Sequence, residues 1–243
     1  MSPRAKPGRR RERLPRDERT AAIMEAARAV FCEKGYAEAS TAEIAARAGV
    51  VEGTLYRYFP TKRDLLTRVV EAFYERIFAD YERQLQGVRG TWNRLRYLIW
   101  KHLSVFHGDP AMCRLIVHEL RPSSQYRQSS VFELNRRYTE RTLAVIREGI
   151  AAGEFEERVP LRLVRDMIFG CAEHHTWGYL RGEGQFSPEE AADALTSLVW
   201  RGLAREPHAA PAPVDVSVRR LEQAVQRLEG LAPARRRARQ GLR

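Results

Sequence analysis

The residues best equipped for chemistry are concentrated in the stretch STAEIAARAGVVEGTLYRYFPTKRDLL, residues 40 to 66. Leu55 and Phe59 stand four apart and face inward from a short helix. That leaves Thr54, Tyr56, Arg57 and Tyr58 for other duties, as hydroxyl, phenol and guanidinium donors. Elsewhere the reactive side chains are isolated. Cys32, Cys113 and Cys171 are far apart and form no CxxC pair, which argues for a reducing cytoplasm and against a disulfide framework or a structural zinc site. His174 and His175 are adjacent, but neighbours on a helix point about 100° apart and do not easily share an ion. No nucleophile–base spacing, glycine-rich phosphate loop or metal-ligand cluster supports catalysis, so neither an enzyme nor a cofactor or metal site is expected.

Two short helices and a turn must position the donors. Ser40 with Glu43 three places on is a capping-box pattern that predicts a helix start. Ile44, Ala45 and Ala48 give that helix one small apolar face, and Gly49 stands where a helix end wants positive φ. Val50 and Val51 fill the turn, and a second helix runs from Gly53 to Phe59, where Pro60 stops it. Thr61 with Asp64 opens the next. A short helix, a turn and a second short helix with polar and aromatic outer residues is a helix-turn-helix pattern, whose second helix enters the major groove of DNA.

From Thr41 to Leu65 the chain reads T-x-x-I-A-x-x-A-G-V-x-x-G-T-L-Y-x-Y-F-x-x-K-x-x-L. This resembles, in one unbroken register, the DNA-binding signature of the TetR family of bacterial transcriptional regulators. The resemblance covers about the first third of the chain. It implies phosphate contacts from Thr41, Tyr56, Tyr58 and Lys62, and base-edge or close backbone approach around Val51, Glu52, Gly53 and Thr54. Elementary chemistry agrees in kind. A Thr at a helix start and a Lys in the first turn of the next helix are donors suited to phosphates, and Gly53 removes a side chain where backbone must come close. Glu52 could accept from cytosine N4, although the helix dipole accounts for it equally well.

The net charge of +11 resides wholly in the two ends. Residues 1–16 carry a net +6 and residues 234–243 a net +5, whereas residues 17–64 hold seven basic against eight acidic side chains. Residues 1–16 therefore read as a disordered basic arm that reaches along a duplex or into a minor groove. A constitutive, architectural DNA-binding protein that relies on its basic ends is the alternative reading.

The remainder predicts an all-α chain: a helix-turn-helix domain over 17–64, then a helical regulatory, ligand-binding and dimerisation domain over 65–205. Ile23, Ala27, Val30 and Phe31 mark a first helix that ends at Gly35. Further helices are expected at 64–86, 91–107, 110–120, 123–152, 160–181 and 188–204. No apolar run approaches the ~18 residues of a membrane span, so a cytoplasmic protein without a membrane partner is expected. In the TetR family the 64–86 helix is the lever between the two domains, and the last two helices pair with their copies in a homodimer that reads a palindromic operator.

The family's inducer pocket lies between the lever and the dimer helices. Its lining is expected from Tyr97, Trp100, Phe106, His118, Phe132, Phe169, His174 and Trp177, an aromatic set suited to a small molecule. HTWGYLRGEGQFSPEEAADAL resembles the fatty-acid-metabolism branch, which senses acyl-CoA. Residues 206–215 read as a Pro/Ala linker, and 216–243 as a short heptad helix with a basic tail. Taken whole, the chain is expected to be a homodimeric repressor released from double-stranded DNA when an apolar effector, acyl-CoA, tilts the lever.

Overall fold

The apolar spacing that predicts helices from Ile23 onward is realised as ten α-helical segments in a computed structural model that describes residues 15–205. The basic arm as far as Leu14, the linker and the heptad segment lie outside the described residues. The segments are α1 (Arg16–Glu38), α2 (Thr41–Arg47), α3 (Glu52–Tyr58), α4 (Lys62–Leu85), α5 (Thr91–Gly108), α6 (Pro110–Arg114), α7 (Ser130–Ala151), α8 (Leu161–His175), α9 (Trp177–Leu180) and α10 (Pro188–Leu203). There is no β-strand among the described residues, only an isolated bridge between Phe155 and Ala204.

One continuous apolar core runs from Ile23 in α1 to Leu203 in α10. Burial of this surface is the main favourable term, since helices in proteins draw most of their stability from packing an apolar face rather than from propensity. Helix α4 carries the widest buried stripe, from Leu65 to Tyr81, and α5 packs extensively against α10. Polar ties join α1 and the start of α4 to the segments around α6. Arg28 of α1 bonds Asp109 at 2.6 Å, and the other oxygen of the same carboxylate caps α6 by accepting from the Met112 N–H. Arg63 at the start of α4 donates to the Glu119 carbonyl.

Several local expectations are corrected. Ser40 makes no side-chain cap; Glu43 reaches instead for Lys34 at 2.8 Å, an ion pair that replaces the reciprocal box. Helix α1 is kinked at Gly35 and then takes one more turn to Glu38. The helix expected over 110–120 continues beyond α6 as a wider π turn, Leu115–Leu120. The helix expected from Ser123 begins at Ser130, because Ser129 caps it by accepting from the Phe132 N–H. The 160–181 helix breaks at Thr176, which is fully buried and turns its hydroxyl back to the Glu173 carbonyl.

Where α7 passes α5 there is no room for a methyl group. A Cβ on Gly149 would lie 2.5 Å from the buried Phe155 ring and 3.0 Å from the Thr91 methyl. Helix propensity alone favours Ala over Gly by about 1 kcal/mol, whereas overpacking costs ~1–3 kcal/mol. Gly149→Ala is therefore expected to lower the urea midpoint at unchanged slope. A raised midpoint would show that Phe155 moves aside freely.

Candidate DNA-binding surface and effector cavity

The turn between α2 and α3 closes by two backbone bonds, Val50 N–H to the Ala45 carbonyl and Gly49 N–H to the Ala46 carbonyl. This is the Schellman pattern, and Gly49 adopts the φ of 70° that it requires. Leu55 and Phe59 are buried beneath the turn, which fixes the outward face of α3. Val51 (73% exposed), Glu52, Gly53 and Tyr56 stand on that face, with Thr54 half-buried. A Cβ on Gly53 would meet nothing within 4 Å, so no contact inside the chain demands a glycine there.

Three of the expected DNA-contact residues come together. The Thr41 hydroxyl donates to Glu52 at 2.6 Å and, with its own hydrogen so committed, accepts from the Tyr56 hydroxyl at 3.0 Å. Lys62 donates to the Ala37 carbonyl at 3.0 Å and lies 4.7 Å from the centre of the Tyr36 ring. Tyr58 is half-buried, with the Arg16 guanidinium over its ring.

Deeper in the chain, α4, α5, α7 and the α6 segment with its π turn, through Cys113, Ile116 and Val117, line a cavity of about 30 Å³. Phe73, Tyr74 and Ile77 line it from α4, His102, Val105 and Phe106 from α5, and Tyr138 and Asn135 from α7. Arg121 and Asn135 also line an outer groove of about 620 Å³, which holds Arg127, Arg136, Arg162, Arg165, Phe132 and Phe169 against the carboxylates of Asp166 and Glu173. The groove lining therefore carries five arginines against two carboxylates, and Arg121 and Asn135 are shared with the apolar cavity. Arg121 there pairs with Glu173 and donates to Asn135 at 3.3 Å. A larger groove of about 920 Å³ between α4 and α7 carries four glutamates, Glu71, Glu75, Glu133 and Glu140, beside its arginines and suits an anion less well.

His102 is the polar centre of the cavity. It is buried, and burial together with the nearby Arg121 charge pushes its pKa down to about 3. Tyr81 donates to the Tyr138 hydroxyl at 3.0 Å, and Tyr138 lies 2.9 Å from His102 Nδ1. Among the described residues, no three His, Cys, Asp or Glu side chains are grouped to hold a metal ion, and no helix is long and apolar enough to cross a membrane.

Residues 23–69 match the family model for bacterial regulatory proteins of the tetR family, and residues 89–203 match the tetracyclin repressor-like C-terminal domain. The chain belongs to the TetR family. It is similar to the fatty acid metabolism regulator protein of Bacillus subtilis, 27% identical over 181 residues that cover 74% of this chain and 93% of that one. It is also similar to the transcriptional repressor KstR2 of Mycobacterium tuberculosis, 23% identical over 76% of this chain and 92% of that protein. In structure it resembles FadR from Bacillus subtilis in complex with stearoyl-CoA, at 27% identity and a TM-score of 0.68, covering 75% of this chain and 98% of that chain.

This TetR-family regulator gathers only part of the aromatic set expected from sequence. Phe106 lines the cavity, and Phe132 and Phe169 line the groove. Tyr97 bonds Gln84 and Trp100 bonds Glu189, so both are engaged away from the cavity, towards the end of α4 and the start of α10. His118 is exposed, and His174 and Trp177 lie exposed against each other with ring centres 4.6 Å apart. Sequence reasoning missed His102, Tyr138 and the arginine cluster. The available signal was a lone histidine within the apolar stripe Leu95, Leu98, Ile99, Phe106 of α5.

The depressed His102 pKa fixes a pH dependence. An unfolded imidazole takes up its proton near pH 6.5, whereas the native one does so only near pH 3. The contribution is complete above about pH 6.5 and is lost as the pH falls through that window, by up to ~1.4 kcal/mol per pH unit. Urea unfolding between pH 7.5 and 4.5 is expected to show a steeper loss for the wild type than for His102→Gln. Equal slopes would mean that His102 is protonated in the native state.

Proposed function

We propose that the protein is a homodimeric repressor whose α3 helices read a palindromic operator and whose arginine-lined groove and cavity take a long-chain acyl-CoA that releases it. The observation that supports this reading is the wall at Arg121 and Asn135, which an arginine-rich groove and an apolar cavity share. An acyl-CoA has the matching pair of properties, an anionic phosphate-bearing head and an apolar tail. The stearoyl-CoA bound to the similar Bacillus subtilis protein supports this assignment, and the KstR2 repressor supports the sign of regulation.

In this reading Thr41, Tyr56, Tyr58 and Lys62 meet phosphates, and Val51 to Thr54 approach the bases, with Gly53 admitting close contact. Thr41 exchanges its bond to Glu52 for a phosphate oxygen and so frees the Glu52 carboxylate for a base edge. The dimer forms through α8 and α10, whose large apolar side chains Leu163, Met167 and Leu198 are exposed at 64%, 43% and 68%. Pairing two copies across these helices would cover them, a usual reason for such a patch.

The cavity has about the volume of a single water molecule. An acyl chain therefore enters only as α4, α5 and α7 separate, so it binds the separated form better than the closed one. That difference in affinity is what an effector needs in order to shift an equilibrium, and coupling of this kind is typically worth ~1–3 kcal/mol. Separation at Phe73 and Ile77 tilts α4, whose start packs on the helix-turn-helix.

The test is binding to fragments of the protein's own upstream region, with palmitoyl-CoA added below its micelle concentration. One palindromic fragment is expected to bind tightly and to be released by roughly 5–150-fold weakening. Arg162→Ala with Arg165→Ala should bind the same fragment but need at least about tenfold more palmitoyl-CoA for release. Binding that no acyl-CoA disturbs would sink the effector assignment. Equal binding to every fragment with a steep salt dependence would favour the architectural alternative.

A further inference from the structure

The N-terminal residues of a recognition helix are the ones that meet base edges. In this chain they are Val51, at the N-cap of α3, with Glu52 and Gly53, its first two residues, and all three are exposed. Val51 and Gly53 bring no polar side-chain atom, and a carboxylate accepts hydrogen bonds but cannot donate them. The leading edge of α3 therefore offers the groove side-chain acceptors and no side-chain donor. The exposed guanidinium of the same helix, Arg57, stands in its last turn.

A carboxylate at that edge approaches a duplex lined with phosphate charge, so it weakens binding to every sequence unless a base donates to it. The major groove has few donors. Guanine shows only acceptors there, at N7 and O6, and thymine shows O4 and its methyl group. Only cytosine N4 and adenine N6 carry hydrogens. Adenine sets its N7 acceptor beside that amino group, where it repels a carboxylate, whereas cytosine shows N4 alone. Thr41 does not alter this choice. With its hydroxyl on Glu52 Oε1 at 2.6 Å, Oε2 remains for a base; with the hydroxyl on a phosphate, both oxygens do.

Resting on the reading of α3 as the operator-binding helix, we propose that Glu52 is a specificity-determining residue that accepts from cytosine N4. Each operator half-site then carries a C·G pair with its cytosine under Glu52. The dipole at the start of α3 favours an acid there but confers no base preference, so the two roles separate by experiment.

The experiment selects binding sites from a randomised duplex pool with the full chain, its Glu52→Gln variant and its Glu52→Ala variant. The wild type is expected to return a palindrome with one cytosine in each half-site that depends on residue 52. Glutamine, which pairs with adenine N6 and N7, should replace that cytosine with adenine, and alanine should leave the position open. Exchanging the two cytosines for thymines should weaken wild-type binding roughly tenfold or more and leave Glu52→Ala unaffected. If the variants do not fold, the wild type decides the matter on duplexes methylated at N4 of each selected cytosine in turn. That methyl group keeps the base pair and removes the groove hydrogen, and one symmetric position should again lose about tenfold. The same palindrome for all three proteins, or full binding whichever cytosine is methylated, would overturn the cytosine assignment alone. A wild type that selects no sequence would remove the operator reading, and this inference with it.

Discussion

Everything in this structure turns on α4 being buried at both ends of one unbroken core. It runs 24 residues, about 36 Å at the usual helical rise. Leu65 and Leu66 near its start are fully buried, and Phe73, Tyr74 and Ile77 further along form one wall of the inner cavity. The Thr61–Asp64 capping box fixes where the helix begins, with the Thr61 side chain accepting from the Asp64 N–H and the Asp64 carboxylate from the Thr61 N–H. Close-packed interiors transmit displacement rather than absorb it. In the proposed reading a change of spacing at the cavity is felt at the recognition helices, and the Arg28–Asp109 and Arg63–Glu119 bonds offer a second route between the same two regions.

The polar groups at the cavity divide into two kinds. The arginines of the groove are outward and suited to an anion, and Arg121 sits where the groove meets the core, already paired with Glu173. His102, Tyr138 and Tyr81 form an inner chain that burial keeps uncharged. It holds the histidine pKa well below its ordinary value and raises both tyrosines. On the proposed reading a head group and a tail would meet different chemistry at different depths, which is the usual composition of a selective small-molecule site.

How far the sequence could be read depended on whether a feature is local. The Gly49 turn, the inward Leu55 and Phe59 and the Thr61–Asp64 start of α4 each rest on residues within a few positions of one another. All were legible. Ser40 was misread because Lys34, six positions earlier, competes for Glu43, and Ser123 because Ser129 offers a cap closer to the apolar run. The cavity was harder to read. Residue type does not reveal helix phase, so Tyr97 and Trp100 looked as suitable as Phe106, yet they turn to Gln84 and Glu189 on the flank of α5. His102 gains its meaning only from Tyr138, 36 positions away, which no local pattern connects.

The central claim is that a chain entering the cavity changes the separation of the two α3 helices. The direct measurement is the distance between nitroxide labels at Arg57→Cys on each copy, in a Cys171→Ser background, with and without palmitoyl-CoA. Arg57 is exposed on α3, and Cys171 is the exposed native cysteine among the described residues. The account predicts a dimer whose label distance shifts when the acyl-CoA binds, in step with loss of operator binding. An unchanged distance in a protein that still releases its operator would contradict it.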